Sequence, residues 1–454
     1  MRNTVWILAL GAAAGGFLFG FDTAVINGAV PALRAHFDSS ALGIGLAVSL
    51  ALLGSAVGAF AAGPMADRFG RVPCMRAAAL FFLVSAVGSG FPFALGDFIA
   101  WRVLGGIGVG MASVLAPTYI AEIAPAETRG RLATLQQLAI VVGIFVSGLS
   151  NYALGAWTGG AEAELLGWAT WRWMFWVEAI PAAVYGAFSF LLPESPRYLV
   201  ARGRDDEAGR VLVSTGQSAA LVDTIRRFSR RERPARFRDV FGGRFGLLPV
   251  VWVGVMLAVF QQFVGINVVF YYSNTLWQSV GFDESRALAI SLTSNTTNVL
   301  TTFIAIATID RFGRRPLLLV GSIGMALSLG TVALALGTAA VDGSGAVSLS
   351  PTMGLVALVA ANAFVFAFGF SWGPVMWVLL GEMFNNRIRA AALALGSATN
   401  WVANFVISTS FPVLVESLGV SGAYLIYAVA AALSFVFVLF AVPETKGRSL
   451  EEMD

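Results

Sequence analysis

The chain has 454 residues, of which 57% are hydrophobic and only 12% charged, with a formal net charge of +3 and a mean hydropathy of +0.77. Soluble domains carry about twice that charged fraction, so the composition excludes an ordinary soluble protein and points to an integral membrane protein. The one cysteine, Cys74, rules out an internal disulfide or a cysteine metal site, and the one histidine, His36, is expected in a loop.

Taken in chain order with a window of roughly 20 apolar residues, the sequence predicts twelve spans, at 6–30, 42–64, 75–95, 98–121, 132–155, 170–192, 247–275, 286–310, 315–340, 354–381, 389–416 and 421–442. The first follows Arg2 without a small-residue cleavage pattern, so it is expected to be a span and not a signal peptide. Between the sixth and seventh lies 193–246, the longest polar stretch, with "RGRDDEAGR" and "RRFSRRERPARFRD". The expected organisation is an N-terminal six-helix bundle (1–192), a cytoplasmic linker with short helices (193–246), a C-terminal six-helix bundle (247–442) and a cytoplasmic tail (443–454).

The first span contains "GGFLFGFDTAVING" and, within it, Asp22. A carboxylate at that depth costs about 2.5–3.5 kcal/mol or more and needs a reason. At 1.5 Å per residue, Asp22 falls in the outer half of a rising span. Arg102, near the outer end of the descending fourth span, and Glu178 in the sixth fall at similar depth. A carboxylate whose distance from a permanently charged guanidinium changes between two conformations would load and release a proton. A static ion pair is the alternative that these residues leave open.

Lys and Arg fix the orientation. With the N-terminus in the cytoplasm, 25 of the 29 fall on the inner side. The basic balance is therefore topology, and no nucleic-acid partner is expected. The inner face also carries a repeat. "GPMADRFGR" after the second span returns as "IDRFGRRP" after the eighth; Glu122 and Arg129 return as Glu382 and Arg389; "PESPR" returns as "PETKGR". Internal repeats of this kind mark transporter folds with a substrate site between halves. The duplicated charges make a candidate cytoplasmic gate of breakable ion pairs: Asp67, Arg68, Arg71, Glu122, Arg129, Glu194 and Arg197 in one half, Asp310, Arg311, Arg314, Arg315, Glu382, Arg389 and Glu444 in the other. Gly70 and Gly313 allow the tight reversals between spans.

These motifs, with "QQFVGINVVFYYS", "SWGPVMWVLLGEMFNNRIR" and "PETKGRSLEE", resemble the signatures of the sugar porter family of the major facilitator superfamily over about residues 6–452. The stretches "FGFDTAVINGAV" and "FGFSWGPVMWVLLGEMFNN" most resemble its bacterial, cyanobacterial-type glucose–proton symporters. The resemblance implies an all-α membrane protein of two pseudo-symmetric six-helix bundles with both termini cytoplasmic. Ala390 departs from the family's usual glycine, for which a small cost in helix packing is expected.

Sugar hydroxyls call for amides, which donate and accept, and for aromatic surfaces to stack on. The seventh span supplies Gln261, Gln262 and Asn267. The last two are five apart, so they can converge only if the span unwinds, which Gly265 permits. Asn298 and Asn400 lie at mid-depth in the eighth and eleventh spans, and Gly373 with Pro374 breaks the tenth beside Trp372 and Trp377. By resemblance, Gln261, Gln262, Asn267, Asn298 and Trp377 match sugar contacts, while Phe19, Tyr271 and Phe368 match the aromatic lining. Ile144 and Asn400 stand where relatives often carry glutamine, which favours a hexose over xylose. Asp22 and Arg102 match the pair of the proton-coupled members; Glu178 matches an accessory acid.

The expected function is hexose uptake, of D-glucose above all, coupled to proton symport by alternating access, in a multi-pass protein of the bacterial inner membrane acting as a monomer. An uncoupled facilitator or a polyol or pentose carrier is the alternative. A non-transporting sugar receptor is more remote, because such receptors are expected to carry a long cytoplasmic tail, whereas the sequence closes on "PETKGRSLEEMD". No enzymatic activity, cofactor or metal is expected.

Overall fold

The computed structural model describes residues 2–125, 128–231, 240–242, 246–341, 347–384 and 388–445. Its helices are α1 (Arg2–His36), α2 (Ala41–Phe69), α3 (Arg71–Gly90), α4 (Leu95–Ile123), α5 (Arg129–Thr158), α6 (Thr170–Ser189), α7 (Pro196–Ala201), α8 (Asp205–Ser214), α9 (Leu221–Arg231), α10 (Pro249–Phe263), α11 (Ile266–Ser279), α12 (Glu284–Phe312), α13 (Arg314–Leu336), α14 (Pro351–Phe370), α15 (Trp372–Glu382) and α16 (Arg389–Ala441). Two antiparallel hairpins, β1 (Glu164–Leu165) with β2 (Trp168–Ala169) and β3 (Ala340–Val341) with β4 (Val347–Ser348), complete the elements.

Nine stretches among the described residues are long and apolar enough to cross a membrane. One of them, Ala391–Ala441, holds two spans, because α16 is interrupted at Gly419. The two remaining spans are α6 and α12. Hydropathy passes over them because α6 carries Arg172 and Glu178, and α12 is rich in Ser, Thr and Asn. Two spans are broken in mid-course: α10 and α11 make the seventh, α14 and α15 the tenth. Several helices overrun the apolar windows, α1 at both ends and α2 as far as the turn at Gly70. Backbone hydrogen bonding continues past the last apolar residue until a glycine or a loop stops it.

The break in the tenth span lies at Ser371 (φ −125°, ψ −91°), slightly earlier than the expected break at Gly373 and Pro374. Pro374 has no N–H and its ring excludes the carbonyl four residues back, so the disruption falls N-terminal to the proline.

By proximity along the folded chain, the protein resolves into two units: Met1–Val25, Leu50–Ser150 and Trp171–Pro234; and Ile26–Ser49, Asn151–Thr170 and Ala235–Asp454. The first contains a small cytoplasmic core of Leu199, Val200, Ala208, Leu212 and Val222 under α7 to α9. In the second, the outer parts of α1 and α2 and the segment after α5 are tied to later helices. Asn274 N–H donates to Asn27 Oδ1 (3.0 Å), Ser49 and Thr409 hydroxyls meet at 2.6 Å, Ala161 N–H donates to Glu284 Oε1 (2.9 Å) and Arg34 pairs with Glu416 (2.7 Å).

Candidate functional site

In the C-terminal spans, Gly265 caps α11 in the left-handed conformation (φ +83°), with Tyr427 packed where a Cβ would point. The chain turns there, and Asn267 Nδ2 reaches Gln262 Oε1 at 2.6 Å, the convergence that a regular helix forbids. Gln262 Nε2 donates to Asn400 Oδ1 (3.0 Å) and to Gln261 Oε1 (3.1 Å), while Asn400 Nδ2 donates to Gln261 Oε1 (2.6 Å). Gln261 Nε2 in turn reaches the Trp372 and Gly373 carbonyls beside the α14–α15 break, each at 3.4 Å. Four neutral amides from α10, α11 and α16 thus form one network, and it meets the second broken helix.

Such a network suits a polyhydroxylated ligand. Each amide can exchange an amide–amide bond for an amide–hydroxyl bond at little net cost, since typical internal hydrogen bonds contribute only about 0.5–1.5 kcal/mol net. Tyr271 is buried on α11 and accepts from Asn404 Nδ2 at 3.5 Å. Ser408 donates to Asn404 Oδ1 at 3.0 Å. Sequence reasoning passed over Asn404, although its spacing one turn from Asn400 was the available signal.

The other expected contacts stand apart from the amides. Asn298 is buried on α12 near Gly369. Phe368 packs beside Gly373. Trp377 is 40% exposed, which leaves an aromatic face open. Trp372, by contrast, is fully buried and donates its indole N–H to Ser322 Oγ (2.9 Å), so it is a packing residue of α13 and α15. Phe19, part-buried on α1, belongs to the first unit.

In that first unit lie the charges. Arg102 Nη1 pairs with Asp22 Oδ1 at 2.7 Å, and Nη2 also holds the Asp22 backbone carbonyl at 2.8 Å. Both residues are buried, and the guanidinium lies over the Phe175 ring at 5.6 Å. Glu178 is fully buried and stands beside Asp22. Among the described residues, Asp22 Oδ2 and both Glu178 oxygens have no hydrogen-bond donor. One guanidinium balances one carboxylate; a second buried acid needs either another cation or a proton. The arrangement is therefore chemically fit to hold a proton between two acids.

The inner-face charges form two matching clusters. Arg71 makes a two-pronged contact with Glu122 (3.0 Å each) and pairs with Asp67 (3.1 Å). Glu194 accepts from the backbone N–H groups of Arg71 (3.0 Å) and Val72 (3.2 Å), and Ser195 Oγ donates to Glu122. In the other half, Arg314 grips Glu382 (2.7 and 2.9 Å), Glu444 accepts from Arg314 and Arg315 N–H, and Thr445 Oγ1 donates to Glu382 at 2.6 Å. Ser195 and Thr445 were not anticipated, although each follows the repeated Pro-Glu pair. Arg68 and Arg311 lie over neighbouring phenylalanine rings, and Arg197 is exposed. The side chains of Arg129, Asp310 and Arg389, and Ala390, lie outside the described residues. Each of these carboxylate–arginine contacts lies within one half of the chain. The reason is local: each carboxylate caps backbone N–H groups or meets the arginine of its own repeat.

Twelve spans built from a repeated half, two broken helices and a buried network of neutral amides define a membrane transporter of the major facilitator fold. The family model described as "Sugar (and other) transporter" matches residues 8–454, and the chain belongs to that family. It is 56% identical over 446 residues to a glucose transport protein of Synechocystis sp. (97% of this chain, 95% of that one). It is 37% identical over 485 residues to the D-xylose-proton symporter of Escherichia coli K12 (99% and 95%). Among solved structures, the partially occluded inward-open xylose transporter XylE of E. coli superposes with a TM-score of 0.84 at 35% identity, covering 98% of this chain and 100% of that one.

Proposed function

We propose that the protein imports a hexose, D-glucose first, together with a proton, across a bacterial inner membrane by alternating access. The observation that carries this reading is the pairing of a neutral amide site with a separate buried Asp22–Arg102–Glu178 cluster. Gln261, Gln262, Asn267, Asn298, Asn400 and Trp377 bind the sugar, with Phe19, Tyr271, Phe368 and Gly373 lining its path. Asp22 carries the proton, Arg102 supplies the fixed counter-charge, and Glu178 shares the proton with Asp22. The inner-face clusters brace each repeat as the bundles move. The monomer is the working unit.

Support comes from two relatives. One is a glucose transport protein 56% identical to this chain over the aligned residues; the other is a D-xylose-proton symporter 37% identical. The first favours a hexose and the second favours proton coupling. The test is uptake of labelled D-glucose into vesicles under an inward proton gradient, with unlabelled xylose, galactose, fructose and inositol as competitors. Glucose should accumulate above its external concentration and lose that accumulation when a protonophore is added. Accumulation indifferent to the protonophore would point to an uncoupled carrier, and competition by inositol alone would overturn the hexose assignment.

A further inference from the structure

Two serines on α3 stand out among the buried polar groups. Ser85 and Ser89 are fully buried, and neither hydroxyl has a hydrogen-bond partner among the described residues. This is unusual for serine inside a helix, which ordinarily bonds back to the carbonyl one turn earlier. Ser55, Ser291 and Ser417 of this chain do so, at 3.1, 3.0 and 2.9 Å. The two unpartnered serines lie one turn apart and therefore share a face of α3.

That face leads to the acid cluster. A Cβ at Gly105 on α4 would overlap Ser85 Oγ and lie 3.1 Å from Asp22 Oδ1. Glycine at 105 thus keeps open the space between the Ser85 hydroxyl and the Asp22 carboxylate. In the other direction, Ser89 is one residue from Gly90, the outer end of α3, and Phe91 beyond it is exposed. Ser85 is only five residues, about 7.5 Å, below that end. The charged groups around this track are Asp22 on α1, Arg102 on α4 and Glu178 on α6. Arg172, also on α6, donates to the Gly90 carbonyl at 2.8 Å at the outer mouth.

We propose that Ser89 and Ser85 form the outer leg of a proton path that charges the Asp22–Glu178 pair. This rests on the proton-coupled reading above. A hydronium ion at the outer face gives a proton to the Ser89 oxygen as the Ser89 hydroxyl proton moves on. A water molecule between the two turns, whose Cβ atoms are about 5–6 Å apart, relays the transfer to Ser85. Ser85 receives that proton and releases its own to a carboxylate oxygen of the pair. Both hydroxyls end with one proton each, and the carboxylate gains one. The chain of hydroxyls separates proton entry from the sugar site, so the two substrates need not share one route.

The test uses reconstituted full-length protein with Ser85→Ala, Ser89→Ala and the double substitution. Two rates are read: sugar-dependent proton entry under an inward gradient, and exchange of labelled glucose with equal pH on both sides. Positioned proton-transfer groups contribute about 100-fold or more; with water able to substitute in part, the double variant should slow proton entry about tenfold. Exchange should stay unchanged, and Ser85→Thr with Ser89→Thr should restore the rate. Unchanged proton entry in the double variant overturns the proposal, and so does an equal fall in both rates, which marks a packing role. Should the double variant not fold, Ser89→Ala alone decides by the same criteria. If the wild-type protein itself shows no sugar-dependent proton entry, the coupled reading fails first and the relay with it.

Discussion

Asp22, Arg102 and Glu178 bury three ionisable groups in the first six spans, whereas the last six hold neutral amides, Gln261, Gln262 and Asn400 buried and Asn267 part-buried beside them. The amides satisfy one another through a connected set of hydrogen bonds. The acids do not: three of their oxygens lack a donor among the described residues. Neutral groups that donate and accept can trade partners with a sugar and leave nothing charged behind. Acids in excess of cations keep a standing demand for a proton. In the function proposed above, the two halves of one helical architecture are therefore specialised differently, one for a proton and one for a neutral solute.

This contrast predicts a graded set of effects. Arg102→Ala should be the most damaging, because it leaves Asp22 buried without its cation; losing one member of a buried pair costs about 3–5 kcal/mol, measurable as lost thermal stability and lost expression. Asp22→Asn should fold far better than Arg102→Ala, since Arg102 keeps its bond to the residue-22 carbonyl. Full stability of Arg102→Ala would erase the distinction between the two sites. Next comes Gln262→Ala, which strips one amide from a neutral network. It should weaken glucose binding by roughly 1–3 kcal/mol in an equilibrium binding measurement while leaving stability almost unchanged. A large unfolding effect there would mean that the amides are glue for the helices and not a ligand site.

Smaller effects are expected at the outer contacts. Burial holds the Glu284 carboxyl above the usual carboxylate range, with the Ala161 N–H partly opposing the shift. A raised folded-state value means that the folded protein binds its proton more readily than the unfolded chain, so this group's contribution to stability grows as pH falls through the folded value. Glu284→Gln should flatten that dependence, seen as a smaller difference in melting temperature between neutral and mildly acidic pH. Least of all, Arg34→Ala removes an exposed pair with Glu416 and should change stability by only about 0–1 kcal/mol.

Much of this was legible in the sequence because its causes are local. Charge in an apolar run exposed Asp22, and Lys and Arg placement gave the orientation. Glycine at 265 announced the break that lets Asn267 meet Gln262. The membership of the inner-face clusters was visible through the repeat, but not the pairing: the motif suggested Arg129 and Arg389 for Glu122 and Glu382, and those glutamates meet Arg71 and Arg314. What stayed hidden depends on packing between helices distant in sequence. Ser85 gives no signal by itself; it matters because Gly105, on another helix, leaves room between its hydroxyl and Asp22. Trp372 and Trp377 look alike as tryptophans beside a break, yet one donates to Ser322 in the core and the other is exposed. The helical phase set by the break at Ser371 decides between them, and the sequence alone located that break at the glycine–proline pair.

The measurement closest to the central claim is simultaneous recording of proton and glucose flux in vesicles containing the wild-type protein or Asp22→Asn. The account predicts that wild-type protein takes up protons with glucose, and that the variant still exchanges glucose across the membrane but neither takes up protons with it nor accumulates it. Glucose-dependent proton uptake persisting in Asp22→Asn would contradict it.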